Sequence, residues 1–226
     1  VIAISYSELG FGMTDIFGEL VQDSLLLIGE VTGQSERVQE VVDFIRQAQQ
    51  DLDARTKDIP EADKPSVYVG GLGSKGTHGI ESTQGQYSLL DAIHAKNVVD
   101  ETGKEGSVMV DKEVLLEWNP DYIFIDQGGY AAVVEDYNKN PTFYESLSAV
   151  INENVYSQLP FNYYNTNLGT AIADAYFLGK IIYPSAFADI DPEKKADEIY
   201  QVLVGMPVYA QMAEDFVAFG RLTLGN

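Results

Sequence analysis

The chain has 226 residues, of which 45% are hydrophobic and 22% charged, the proportions of a globular protein with one large domain or two small ones. It has no cysteine, which excludes disulfides, thiolate-held metals and a thiol nucleophile. Its formal net charge of −21 argues against nucleic acid as a partner. No apolar run reaches the roughly 18 residues of a membrane span, and the first residues show neither the basic segment nor the apolar run expected of a signal peptide.

The first third of the chain is predicted to be mainly helical. Residues Val1–Ser5 indicate a buried strand, and Asp15–Ile28 indicates one helix or two short ones that end near Gly29 and Gly33. From about 35 to 57, apolar residues recur at helical spacing without an internal Gly or Pro, which predicts a helix roughly 34 Å long. The apolar positions of this helix are Val38, Val41, Val42, Ile45, Ala48 and Leu52.

After Pro60, strands alternate with helices, which predicts an α/β fold of the Rossmann-like type: a mainly parallel sheet with helices on both faces. The expected strands are Ser66–Gly70, Tyr122–Asp126 and Val155–Leu159. The expected helices are Tyr87–Ala95, Lys112–Trp118, Pro141–Leu147, Leu168–Tyr183, Pro192–Val204 and Tyr209–Phe219. Ligands of such sheets bind at the carboxyl ends of the strands, here the loops Gly71–Ser82, Gln127–Tyr130 and Pro160–Asn165.

Several segments together resemble the periplasmic binding proteins of ABC importers for iron-siderophore, haem or vitamin B12. The stretches are Ile28-Gly-Glu-Val-Thr-Gly before the long helix, Lys64-Pro-Ser-Val-Tyr-Val-Gly-Gly, Asn97-Val-Val-Asp, and Asp111 through Asp126. The pattern continues with Leu147-Ser-Ala-Val, Asn154-Val-Tyr, Tyr183-Pro and Phe187. The resemblance implies an extracytoplasmic carrier, in the periplasm or lipid-anchored, that captures a metal chelate and delivers it to a membrane permease.

The resemblance also implies a domain division. Residues 1–31 correspond to the end of an N-terminal lobe, 32–60 to the rigid interdomain helix, and 61–226 to the C-terminal α/β lobe. Because the family grips its ligand between two lobes, we expect the 226-residue chain alone to bind ligand weakly. An exposed first strand also suggests self-association.

Glu113 is the candidate for docking to the permease. In the resembled family a glutamate at this place pairs with a permease arginine, and an exposed carboxylate offers Arg a bidentate target. A glutamate in the first turn of a helix also interacts favourably with the helix dipole, and this role is compatible with docking.

The candidate ligand-binding residues lie on the three expected loops. Lys75 and His78, on a glycine-rich loop, suit carboxylate or catecholate groups, although a solvated loop explains them equally well. Aromatic rings after the strands would stack on a flat chelate, and a tyrosine phenolate could also ligate ferric iron. The full set is Lys75, His78, Gln127, Tyr130, Phe161, Tyr163, Tyr164 and Asn165.

No built-in cofactor is expected; the ligand is expected to be a ferric chelate, haem or cobalamin. Only two histidines occur, and a protein-built transition-metal site is therefore not expected. Asp126, Glu135 and Asp136 form no recognisable acid–base pair, which disfavours the alternative of an α/β enzyme or chelatase. A sensor or adhesin on the same scaffold remains a second alternative.

Overall fold

The computed structural model of the protein describes residues 15–73, 76–162 and 166–225. Its helices are α1 (Glu19–Thr32), α2 (Ser35–Thr56), α3 (Ser88–Asp91), α4 (Lys112–Trp118), α5 (Tyr130–Lys139), α6 (Pro141–Glu145), α7 (Ser148–Ile151), α8 (Leu168–Ile182), α9 (Pro192–Val204) and α10 (Tyr209–Asp215). Its strands are β1 (Ser66–Gly70), β2 (Ser82–Gly85), β3 (Lys96–Asn97), β4 (Gly106–Met109), β5 (Tyr122–Asp126), β6 (Val155–Gln158) and β7 (Gly220–Arg221).

The central sheet has the strand order β3-β1-β5-β6-β7. The first four strands are parallel, and β7 pairs antiparallel with β6 at one edge. A separate antiparallel pair, β2 and β4, was not expected from the sequence. The expected α/β fold with a mainly parallel sheet is confirmed.

Helices cover both faces of this sheet because side chains alternate along each strand. On β1 and β5, Val67, Val69 and Phe124 belong to one apolar cluster, together with residues of α2, α3, α8 and α9. Tyr68 and Ile123 point to the other cluster, which includes residues of α4 and α5. The doubly covered sheet therefore has two cores, one on each side.

The long helix α2 follows α1 after a sharp break at Gly33. Gly33 has the left-handed φ of 71° that suits glycine, and its N–H donates to Glu30 O. α1 and α2 then pack closely, because a Cβ at Gly29 would lie 2.8 Å from Val38 Cβ. Farther along, the buried residues Ile45 and Leu52 bring α2 into the same core as the sheet. The predicted long helix is confirmed, with bounds Ser35–Thr56.

Three element predictions differ from the structure. The helix expected over Tyr87–Ala95 is reduced to α3, because His94 has a left-handed φ of 50° and its Nε2 bonds Asp53 Oδ1 at 2.9 Å. The last helix ends at Asp215 rather than Phe219. Tyr130, expected on a loop, instead begins the unpredicted helix α5. The expected strand over residues 1–5 lies outside the described residues.

Candidate functional site

Three loops leave the sheet at one edge. Because β1, β5 and β6 are parallel neighbours, their last residues, Gly70, Asp126 and Gln158, lie at the same edge. We call the loops 71–81, 127–129 and 159–167 together the rim. The expectation that these loops share one edge is met for their described residues.

The backbones of the three rim loops pack directly on one another. A Cβ at Gly129 would lie 2.5 Å from His78 O and would also overlap the backbone of Gly71. A Cβ at Gly73 would lie 2.6 Å from Asn162 O. The first loop thus touches both others, and glycine is required where the backbones approach.

Of the eight expected ligand-binding residues, four lie outside the described residues, one lies on the first rim loop, and three lie on or directly after the other two loops. Lys75, Tyr163, Tyr164 and Asn165 lie outside the described residues. His78 is half-buried on the first rim loop, where its carbonyl contacts the second.

Of the remaining three expected residues, two are buried and one is half-buried. Phe161 is 6% exposed and its ring lies 6.2 Å from that of Tyr87, so it belongs to the core and not to an open aromatic surface. Gln127 is 9% exposed. Tyr130 is half-buried and packs against the apolar cluster beside α5. These residues lie at the predicted edge of the sheet. The sequence did not show that Phe161 and Gln127 would be turned into the core.

A buried polar network lies directly beneath the rim. Asp126 Oδ1 accepts from the N–H of Gly128 at 2.8 Å, which shapes the second rim loop. Gln158 Nε2 lies 2.9 Å from Tyr87 Oη and 3.4 Å from Asp126 Oδ2. Asp174, on α8, accepts from the N–H of Leu159 at 3.0 Å.

This network contains two fully enclosed carboxyl groups. Burial raises the pKa of Asp126 to about 7, against hydrogen bonds from Gly128 and Gln158 that favour its charged form. Burial, with the nearby charge of Asp126, raises the pKa of Asp174 well above its ordinary value. Asp174 was not among the residues predicted from the sequence. The feature that could have identified it is that it is the one carboxylate within the apolar helix α8.

Glu113 lies in the first turn of α4 and is exposed. The chain just before it is tied to the first rim loop, because Val110 N–H donates to Glu81 O at 2.9 Å. Glu113 therefore stands at the rim end of the molecule, beside the exposed side chain of Met109, with which it lines a shallow groove. This position leaves its carboxylate open to a partner.

Within the described ranges, no cluster of three or more His, Asp or Glu side chains could hold a metal ion. In the same ranges, no helix has both the length and the apolar character needed to cross a membrane.

A model of the periplasmic binding protein family matches residues 6–160. The uncharacterized ABC transporter substrate-binding lipoprotein YvrC of Bacillus subtilis is 25% identical over 170 residues, which make up 75% of this chain and 52% of YvrC.

Two solved structures show the same fold. A periplasmic solute binding protein from Veillonella parvula has a TM-score of 0.68 at 17% identity, over 87% of this chain and 59% of that one. The molybdate-bound protein MolA from Haemophilus influenzae has a TM-score of 0.67 at 20% identity, over 83% of this chain and 56% of MolA. The chain thus spans a little over half the length of these relatives.

Proposed function

We propose that this chain, which belongs to the periplasmic binding protein family, acts in an ABC importer as a solute-binding component that captures a ferric siderophore or a related chelate, such as haem or cobalamin. Membership of that family places the chain outside the cytoplasm. We further propose that it passes its ligand to a membrane permease.

The observation that carries the proposal is the shared rim. Three loops from three adjacent parallel strands end at one edge and pack on each other through glycine backbone, so they present one continuous surface. The carboxyl ends of parallel strands are where such folds bind their ligands. A bulky chelate suits a broad rim better than it suits a narrow pocket.

The arrangement of carboxyl groups favours a carrier over an enzyme. Two carboxyls lie directly beneath the rim, Asp126 and Asp174, and they are 2% and 0% exposed. A general acid or base must come within hydrogen-bond reach of the atom it serves, and these groups are enclosed. Their hydrogen bonds instead hold loop backbone.

The proposal is tested by calorimetric titration of the chain, and of the complete product of its gene, with a panel of ligands. The panel is a ferric catecholate, a ferric hydroxamate, haemin, cyanocobalamin and molybdate. We expect one of the four chelates to bind and molybdate not to bind. Binding of molybdate alone would refute the chelate class, and no binding to the complete product would refute the proposed ligand class.

Stacking of tyrosine rings on the chelate is tested with a separate set of variants. Replacing Tyr163 and Tyr164 by Ala in the complete product should weaken binding of the chelate found above without lowering the melting temperature. Ile151→Ala is the control, since Ile151 is 65% exposed at the end of α7, just before β6 begins and thus away from the rim. Equal affinity of the tyrosine variant and the control would remove the stacking role.

A further inference from the structure

Two buried carboxyl groups each hold the start of one rim loop. Asp126 Oδ1 accepts from Gly128 N–H, and Asp174 Oδ1 accepts from Leu159 N–H. The loops that follow β5 and β6 therefore take their positions partly from side chains below them. Asp126 and Asp174 act on the rim through these backbone amides.

Two acceptor atoms of the same network have no hydrogen-bond donor. Asp174 Oδ2 and Gln158 Oε1 are both buried and unpaired. The amide nitrogen of Gln158 is already directed at Tyr87 and Asp126, so it does not serve Asp174. Buried polar atoms are nearly always paired, and an unpaired one calls for a physical explanation.

In the described part of the chain, no positively charged group contributes to the pKa of Asp126 or of Asp174. Among the described residues, no Lys, Arg or His forms an ion pair with Asp126 or Asp174. The titratable groups that face Asp174 are Asp126 on β5, Tyr87 ahead of α3 and Tyr200 on α9, and none of them carries positive charge. A buried carboxyl without a counter-charge takes up a proton rather than remain ionised.

We propose that Asp174 is a neutral carboxylic acid at neutral pH, with its proton on Oδ2, and that it is a positioning residue for the rim. Oδ1 is occupied by Leu159 N–H, so a proton on Oδ2 leaves that bond in place and removes the negative charge from a buried oxygen that has no donor. It also removes the repulsion between Asp174 and Asp126. The raised pKa of both groups, caused mainly by burial, agrees with this assignment.

The protonation state is tested by infrared difference spectroscopy of the wild-type chain against Asp174→Asn. This variant mimics the neutral acid, because it keeps an acceptor for Leu159 and places N–H donors at the Oδ2 position. We expect a stronger neutral-carboxyl C=O band at pH 7 in the wild type than in Asp174→Asn, where Asp126, whose pKa is about 7, still contributes. If the wild type shows only carboxylate bands, a water molecule and not a proton satisfies Asp174, and the proposal is overturned.

Should Asp174→Asn fail to fold, Asp126→Asn decides the question, because Asp126 has a pKa of about 7 and would add its own neutral-carboxyl band in the wild type. The neutral-carboxyl band of this variant would then be followed with rising pH and should weaken as the buried carboxyl ionises. Asp191→Asn serves as the control, since Asp191 is exposed at the start of α9, where Lys194 holds its pKa low. A band that is lost in this control as well would not belong to the buried pair.

The positioning role has a separate readout in the amide resonances of Gly128 and Leu159. With rising pH the Leu159 resonance should shift in the wild type and stay constant in Asp174→Asn, whereas the Gly128 resonance also follows the ionisation of Asp126. Shifts that stay constant in the wild type would overturn the positioning role even if the proton is present.

The effect on ligand binding rests on the proposed function. Of the chelates in the panel, the one that binds should lose about ten-fold in affinity in Asp174→Ala, which removes the acceptor for Leu159, and retain its affinity in Asp174→Asn. Equal affinities in the two variants would overturn the positioning role. If no chelate binds, the proposed function fails, while the infrared and amide measurements still decide the inference about the proton.

Discussion

Arg55 holds Asp189 through two parallel hydrogen bonds, from Nη1 to Oδ1 at 2.7 Å and from Nη2 to Oδ2 at 2.9 Å. The same guanidinium donates from Nε to Asp51 Oδ2 at 2.9 Å and lies over the ring of Phe187. Arg55 is in the last turn of α2, and Asp189 lies in the segment between α8 and α9. One side chain therefore fixes the end of the long helix to the α/β unit.

Arg55→Lys should loosen this attachment, because a single ammonium group cannot reproduce the planar fork. We expect Arg55→Ala to lower the free energy of unfolding by about 1–2 kcal/mol in urea, with Arg55→Lys between it and the wild type. Lys139→Ala removes the exposed pair with Glu135 and should change the free energy of unfolding much less than Arg55→Ala does. Equal effects of Arg55→Ala and Lys139→Ala would contradict a special role for Arg55.

Gly129→Ala should disrupt the rim, because the new methyl group meets the backbones of Gly71 and His78, which cannot move aside as a side chain could. We expect a loss of about 1–3 kcal/mol of stability, measured by thermal unfolding. Gly169→Ala is the matched control: its Cβ would make only ordinary contacts of 3.4 Å, and alanine favours the helix it occupies. A variant at Gly129 as stable as the one at Gly169 would show that the loops do not interlock.

The stability of the protein should fall as the pH rises through the acidic range. The folded-state pKa of Asp126 is about 7, above the ordinary unfolded value of about 3.9, so the folded state binds the extra proton between these two values. The contribution is fully present below about pH 4 and is lost by about pH 7, at up to about 1.4 kcal/mol per pH unit.

Asp126→Asn should flatten that slope in urea denaturation followed across the same pH range. Glu135→Gln changes an exposed carboxylate and should leave the slope as it is in the wild type. A variant at Asp126 that keeps the wild-type slope would mean that Asp126 is ionised throughout.

Replacing Glu113 by Ala should reduce uptake of the ligand by the native host while leaving ligand affinity and stability unchanged. The physical reason is that its carboxylate is exposed and forms no described ion pair within the chain, so a docking role would be lost without cost to the fold. Glu117→Ala is the matched control, since Glu117 is exposed on the same helix but nearer its other end. Normal uptake with Glu113→Ala would exclude a docking role.

The sequence was sufficient for the elements whose pattern is strong over their whole length. The helix α4 and the strands β1 and β5 have the predicted bounds, because apolar runs between turn residues define them locally. It did not predict α5, which begins at Tyr130, directly after the glycine that packs on the first rim loop. It also did not predict the pairing of β2 with β4, since pairing depends on residues far apart in sequence.

By itself, the sequence determined the class of fold and the edge of the sheet where the three loops meet, because periodicity sets the elements and parallel pairing sets their direction. Only the tertiary structure decided which of the loop side chains are buried, turning Phe161 and Gln127 inward. It alone also placed Asp174 beside Asp126, from positions 48 residues apart in the chain. The reason is that burial and charge proximity arise from packing between elements, which no local pattern of residues encodes.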